Sequence, residues 1–122
     1  MAGKLVHFEL PAEDTDRAQK FYEDLFGWKF QSFEGPMDYR MLVGDEAPGG
    51  AIYPSQAGER DPIVYFDTED IDATIARIRE LGGEAEEKHP IPGVGWMTRA
   101  KDLEGNSISL FQSDESVPHA QG

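Results

Sequence analysis

From Leu5 to Leu10 the chain alternates strictly, with Val6, Phe8 and Leu10 on one face and Leu5, His7 and Glu9 on the other. That is the period-2 signature of a half-buried strand, and Pro11 is expected to end it. Glu13, Asp14 and Asp16 stand where acidic residues favour a helix N-terminus, through capping and the helix dipole. Ala18, Phe21, Tyr22, Leu25 and Phe26 then recur at helical spacing, and Gly27 is a natural C-terminal stop. Segments 28–33, 39–43 and 51–53 read as further strands, parted by the turn residues Glu34, Gly35 and Pro36 and by the loop 44–50.

The pattern then repeats. A shift of 56 positions pairs Glu13 with Glu69, Asp14 with Asp70, Asp16 with Asp72, Leu25 with Leu81 and Gly27 with Gly83. The same ungapped shift pairs Pro36 with Pro92, Met41 with Met97, Gly49 with Gly105 and Ile52 with Ile108. A repeat of this period indicates a supersecondary unit that needs its copy to close a core. The second copy has a strand at 63–67, a helix at 71–81 with Ile71, Ile75, Ile78 and Leu81 on one face, and a polar edge strand at 84–89. A loop at 90–94 follows, then strands at 95–100 and 107–112 around the turn Asp102–Asn106. Residues 54–62 have linker composition, and 113–122 are expected to fray. Each copy therefore reads β-α-β-β-β.

At 122 residues the chain fits one domain, with modules at about 4–54 and 62–112 and a tail at 113–122. No apolar run approaches a membrane span, the N-terminus has no signal-peptide apolar region, and there are no cysteines for disulfides or thiolate chemistry. A cytoplasmic protein is expected. The net charge of −13 argues against a nucleic-acid partner and would favour a cationic ligand, although it serves solubility as well. Neither a phosphate-binding glycine loop nor a nucleophile elbow is present.

The openings HFELPAEDTDRAQKFYEDLFGW and DTEDIDATIARIRELGGE, with the closing GWMTRAKDLEGNSISLFQ, resemble the vicinal oxygen chelate superfamily of glyoxalases, bleomycin-resistance proteins and extradiol dioxygenases. The resemblance covers residues 4–112. It implies an α+β fold, two tandem βαβββ modules forming a curved, cup-shaped sheet with helices on its convex side. Strand parity then sorts the side chains. Val6, Phe8, Leu10, Ile52, Val64, Phe66, Ile108 and Leu110 should face the helices. His7, Glu9, Tyr53, Ile63, Tyr65, Ser107, Ser109 and Phe111 should face the cup.

Metal-dependent members hold a divalent ion at four places that correspond to His7, Tyr53, Ile63 and Ser109. A catalytic zinc takes about three N, S or O protein ligands, and here only His7 is a good one. No metal or other cofactor is expected. A site rebuilt from His7, Glu9 and His89 is the alternative, with His119 left in the tail.

The candidate ligand-binding residues are His7, Glu9, Tyr53, Ile63, Tyr65, Trp96, Ser109 and Phe111. Each has a plainer role as well: His7 as a hydrogen-bonded core histidine, the tyrosines as wall residues, Trp96 as packing. The first functional reading is a metal-free binding protein that sequesters or carries a small, aromatic, cationic molecule, as a homodimer. The second is a lyase, isomerase or dioxygenase of the glyoxalase type, with His7 and Glu9 as acid–base candidates or a rebuilt metal site. The third is an interaction module without a ligand.

Overall fold

The computed structural model describes residues 3–33, 36–44, 46, 48–56 and 61–118. The chain divides into two compact units, His7–Ile63 and Met1–Val6 with Val64–Gly122. The class is α+β, and each unit is one β-α-β module extended by further strands.

In the His7–Ile63 unit the elements are β1 (Leu5–Ala12), α1 (Thr15–Phe26), β2 (Phe30–Phe33), β3 (Tyr39–Leu42) and β4 (Gly49–Pro54). The strand order is β2-β3-β4-β1, with β1 parallel to β4 and the other pairs antiparallel. Pro11 does not end β1. It sits opposite Tyr53, and the ladder continues past it to the Ser55 N–H, which donates to the Ala12 carbonyl at 2.9 Å. Proline removes one donor from a strand, and the neighbouring groups still pair.

Helix α1 begins where the Asp14 carboxylate accepts from the Arg17 N–H at 3.0 Å. It ends at Gly27, whose φ of +74° places it in the left-handed region that glycine reaches without strain. Phe8, Leu10, Ile52 and Arg40 share the face of the sheet toward α1, as the ladder register dictates. Arg40 fastens the helix to that face with ion pairs and hydrogen bonds to Asp16 at 2.7 Å and to Gln19 at 3.1 Å. Trp28, expected inside β2, lies ahead of it and packs on Tyr22 and Phe26 with ring centroids 5.2 and 5.1 Å away. Phe21, Leu25 and Phe26 remain 57, 56 and 58% exposed, so α1 covers the sheet while leaving an apolar outer face.

The second unit contains β5 (Ile63–Asp67), α2 (Ile71–Glu80), β6 (Glu84–Ala85), β7 (His89–Ile91), β8 (Gly95–Lys101) and β9 (Ser107–Ser113). Its strand order is β5-β9-β8-β6, with β7 also paired to β8. The N-terminal residues belong here because the Gly3 N–H donates to the Asp67 carbonyl at 2.8 Å and the Asp67 N–H to Lys4 at 2.9 Å. Ile71, Ile75 and Leu110 form the core, with Phe66, Ile78, Ala85 and Trp96 packed around them. Each isoleucine so buried contributes about 1.5–3 kcal/mol. Asp70 caps the helix by accepting from the Ala73 N–H, and the Gln112 side chain accepts from the Ile71 N–H at 2.8 Å.

Two expectations are corrected here. The polar strand 84–89 is two strands, β6 and β7, because the Thr98 hydroxyl takes the Glu86 carbonyl at 2.8 Å and interrupts the pairing between them. The tail does not fray up to residue 118. Val117 is buried, its carbonyl accepts from the Gly93 N–H at 2.9 Å, and the Asp114 N–H donates to Val94 at 2.9 Å. One buried valine and paired backbone groups suffice to dock a polar segment. The linker residues 57–60 and His119 lie outside the described residues.

Candidate functional site

The β1 register places His7, Glu9 and Pro11 on the face of the first sheet away from α1, opposite Gly49, Ala51 and Tyr53 of β4. Met41 lies beyond Ala51 on β3, and Tyr39, two residues earlier, shares that face. Gly49 and Ala51 carry almost no side chain, so the Tyr39 ring can reach over β4 toward β1. Its hydroxyl donates to Glu9 Oε2 at 2.7 Å and lies 2.7 Å from His7 Nε2. A phenol has one hydrogen, and Glu9 takes it, so the Tyr39 oxygen accepts at His7 and His7 donates from Nε2. The neutral imidazole then keeps its lone pair on Nδ1. Burial pushes the His7 pKa below its usual value, while the charge of Glu9 opposes the shift. Glu9 is itself only 8% exposed.

Tyr53 and Ile63, in the same unit, are buried at 6% and 5% exposure. In the other unit the ladders set Tyr65, Ser109 and Arg99 side by side across β5, β9 and β8, on the face away from α2. Phe111 and Met97 form the neighbouring row. Tyr65 and Ser109 are buried, and the Ser109 hydroxyl has no hydrogen-bond partner among the described residues. Trp96 is corrected. It lies on the opposite face of β8, against Ile71, Ile75 and Leu110, and its ring N–H donates to Asp114 at 3.2 Å beneath the Lys88 ammonium. The alternation along β8 allows Met97 or Trp96 on that face, never both.

Two functional candidates were missed by sequence reasoning. Tyr39 carried the one usable signal, an apolar ring with a polar tip at the start of a strand. Arg99 carried none, since its neighbours across the ladder come from other segments.

Of the four places where metal-dependent members hold an ion, Ile63 offers no donor atom, Ser109 a neutral hydroxyl and Tyr53 a phenol. Nε2 of His7 is committed to Tyr39. Among the described residues no three His, Cys, Asp or Glu side chains are grouped so as to hold a metal ion. These donors do not fit a divalent cation.

Residues 4–45 match the family described as bleomycin resistance protein-like N-terminal. A glyoxylase-like domain-containing protein of Didymella fabae is 33% identical over 91 residues, which span 67% of this chain and 70% of that protein. The chain belongs to the glyoxalase/bleomycin-resistance/dioxygenase superfamily. A second member, a Mycobacterium bovis protein whose name assigns it to the glyoxylases, is 34% identical over 115 residues. These span 90% of this chain but 44% of that protein, so the chain covers less than half of that member. The fold is shared with solved members at lower identity. A variant of Streptomyces coelicolor methylmalonyl-CoA epimerase, solved with 2-nitronate-propionyl-CoA, superposes with a TM-score of 0.71 at 21% identity, over 93% of this chain and 99% of that one. A superfamily member from Vibrio splendidus gives 0.69 at 16% identity, over 93% and 100%.

Proposed function

We propose that the protein binds a small organic molecule without a resident metal, and that the His7–Tyr39–Glu9 chain is the polar anchor of its site. The observation that carries this reading is the pair of 2.7 Å contacts at the Tyr39 hydroxyl. They join a buried carboxylate, a phenol and an imidazole into one hydrogen-bonded chain and set the tautomer of His7. The buried charge of Glu9 and the ring of Tyr53 favour a flat ligand with a cationic or hydrogen-donating group. The donor set at the four metal positions supports a metal-free site.

A second reading has one observation in its favour. A histidine kept neutral by burial is a competent general base, and the epimerase of matching fold is an enzyme. Under that reading the His7 imidazole takes a proton from the substrate, and Tyr39 and Glu9 hold the ring in place.

A thermal-shift screen of small molecules on the purified protein, with elemental analysis alongside, tests the proposal. A ligand at about 100 times its dissociation constant stabilises the fold by roughly 2.7 kcal/mol. Hits whose affinity falls on both His7→Gln and Tyr39→Phe support the anchor. Hits indifferent to both substitutions, or near one metal per chain lost on His7→Ala, defeat it. Conversion of a hit by wild type and not by His7→Gln promotes the enzymatic reading.

A further inference from the structure

The tandem repeat supplies an internal reference for the surface of each module. Under the shift of 56 positions, Phe26, Trp28, Phe30 and Phe33 correspond to Gly82, Glu84, Glu86 and His89. The first module therefore keeps aromatic rings where the second has a glycine, two carboxylates and a histidine, so the fold itself does not demand them. The rings of Phe26 and Phe30 lie either side of Trp28, with centroids 5.1 and 6.3 Å away, and Phe33 stands on the other face of β2. Phe26 and Phe33 are 58 and 49% exposed. All four border β2, which has β3 on one side and, among the described residues, no strand on the other. The Lys29 carbonyl accepts from the Val43 N–H at 2.8 Å on the β3 side, so alternation turns the backbone groups of Phe30 and Ser32 to the open side. Such an edge is ordinarily blunted by charge. Residues 84–88 of the second module carry four charges, and Phe30–Phe33 carries none.

We propose that β2 is the pairing edge for a second copy of this chain, strand against strand about a two-fold axis, and that the partner's β2 walls the site beside Tyr39. At a net charge of −13 two copies repel over most of their surfaces, and the uncharged edge is where approach costs least. The second module's edge is a poor occupant, because it would bring carboxylates onto phenyl rings and leave a head-to-tail chain that does not close. An antiparallel strand paired with its own copy is self-complementary and closes at two. On the helix side of the sheet the axis brings the Phe26, Trp28 and Phe30 rings of both copies together. On the other side lies Phe33, whose ring meets that of Tyr39 edge-on at 6.1 Å. A strand added at about 4.8 Å from β2 covers its exposed half. This last step rests on the His7–Tyr39–Glu9 reading of the site; the pairing does not.

The whole chain is examined by light scattering, by amide hydrogen exchange and by isotope-filtered NMR on an equal mixture of labelled and unlabelled protein. Wild type should have twice the 13.6 kDa mass, with chain-to-chain contacts from the Phe30 and Phe33 rings. Ser32→Lys sets like charges against each other close to the axis and should return the mass to 13.6 kDa. Ser32 is exposed, so the far-ultraviolet circular dichroism should stay that of wild type. Ser32→Pro deletes an N–H that points away from β3, and should likewise give a folded monomer. In the Ser32→Lys monomer the Phe30 amide should exchange about tenfold faster than in wild type. A monomeric wild type overturns the proposal, as does a mass that grows without limit on concentration. So does a dimer that survives both substitutions, or one with contacts from Phe21 and Leu25 but none from Phe30. Contacts from Phe30 without any from Phe33 overturn the partner's place in the site. No ligand enters these measurements, so their failure and a failure of the His7 anchor are told apart.

Discussion

The Tyr39 hydroxyl gives its only hydrogen to Glu9, at 2.7 Å, and this one bond decides the state of the histidine beside it. With the phenol hydrogen spent, His7 donates from Nε2. Tyr39→Phe removes the acceptor of one group and the donor of the other, and leaves both half-buried or buried. A loss of about 1–3 kcal/mol in urea unfolding is expected. A loss below about 0.5 kcal/mol would mean that the three groups are solvated independently.

The pH dependence follows from the same burial. Burial disfavours the imidazolium, so the His7 pKa lies below 6.5 in the folded protein and returns to it on unfolding. Between those values the unfolded chain binds more protons, and stability rises with pH. The contribution of neutral His7 is complete above about pH 6.5 and is lost as the pH falls below it. Unfolding free energies of wild type and His7→Gln, measured from about pH 8 to about pH 5, should therefore converge on the acid side. Parallel curves would show that His7 is solvated.

Gly50 lies opposite Phe8 in the β1–β4 ladder, and a Cβ there would stand 2.8 Å from Phe8 Cε1. The ring is hemmed in by Trp28, at 6.4 Å between centroids. Gly50→Ala should cost about 1–3 kcal/mol by overpacking. A denaturation midpoint equal to wild type would show the ring free to turn aside.

Truncation after Gln112 should lower the melting temperature, because it strips the Gly93, Val94 and Trp96 partners and the buried Val117. Val117→Ala alone should cost about 1.5 kcal/mol. A truncated chain as stable as the full one would mean that the segment docks without contributing.

We expect a homodimer, with α1 in the interface. Phe21, Leu25 and Phe26 are each more than half exposed on one helix, and clustered exposed apolar side chains are the kind of surface that a partner covers. Light scattering should give twice 13.6 kDa, and Phe26→Asp should return it to 13.6 kDa. A monomer at micromolar concentration would refute it.

What the sequence determined is what short-range chemistry controls. Alternation between Leu5 and Leu10 assigned Phe8 and Leu10 to the helix side of β1 and His7 and Glu9 to the other, since successive side chains of a strand must point to opposite faces. Asp14 and Asp70 announced the two helix starts as capping acceptors, and the repeat announced that there would be two. Where Pro11 was read as a stop, the rule used was local and the ladder with β4 outweighed it. Tertiary structure alone decided that Tyr39 meets His7 and Glu9. The contact spans about thirty residues, and it exists because β3 lies one strand from β1 with only Gly49 and Ala51 between. It also decided that Ser109 sits between Tyr65 and Arg99, and that Trp96 belongs to the α2 core. Each of these depends on the register of strands distant in sequence. A one-residue slip would exchange the faces without altering any local pattern.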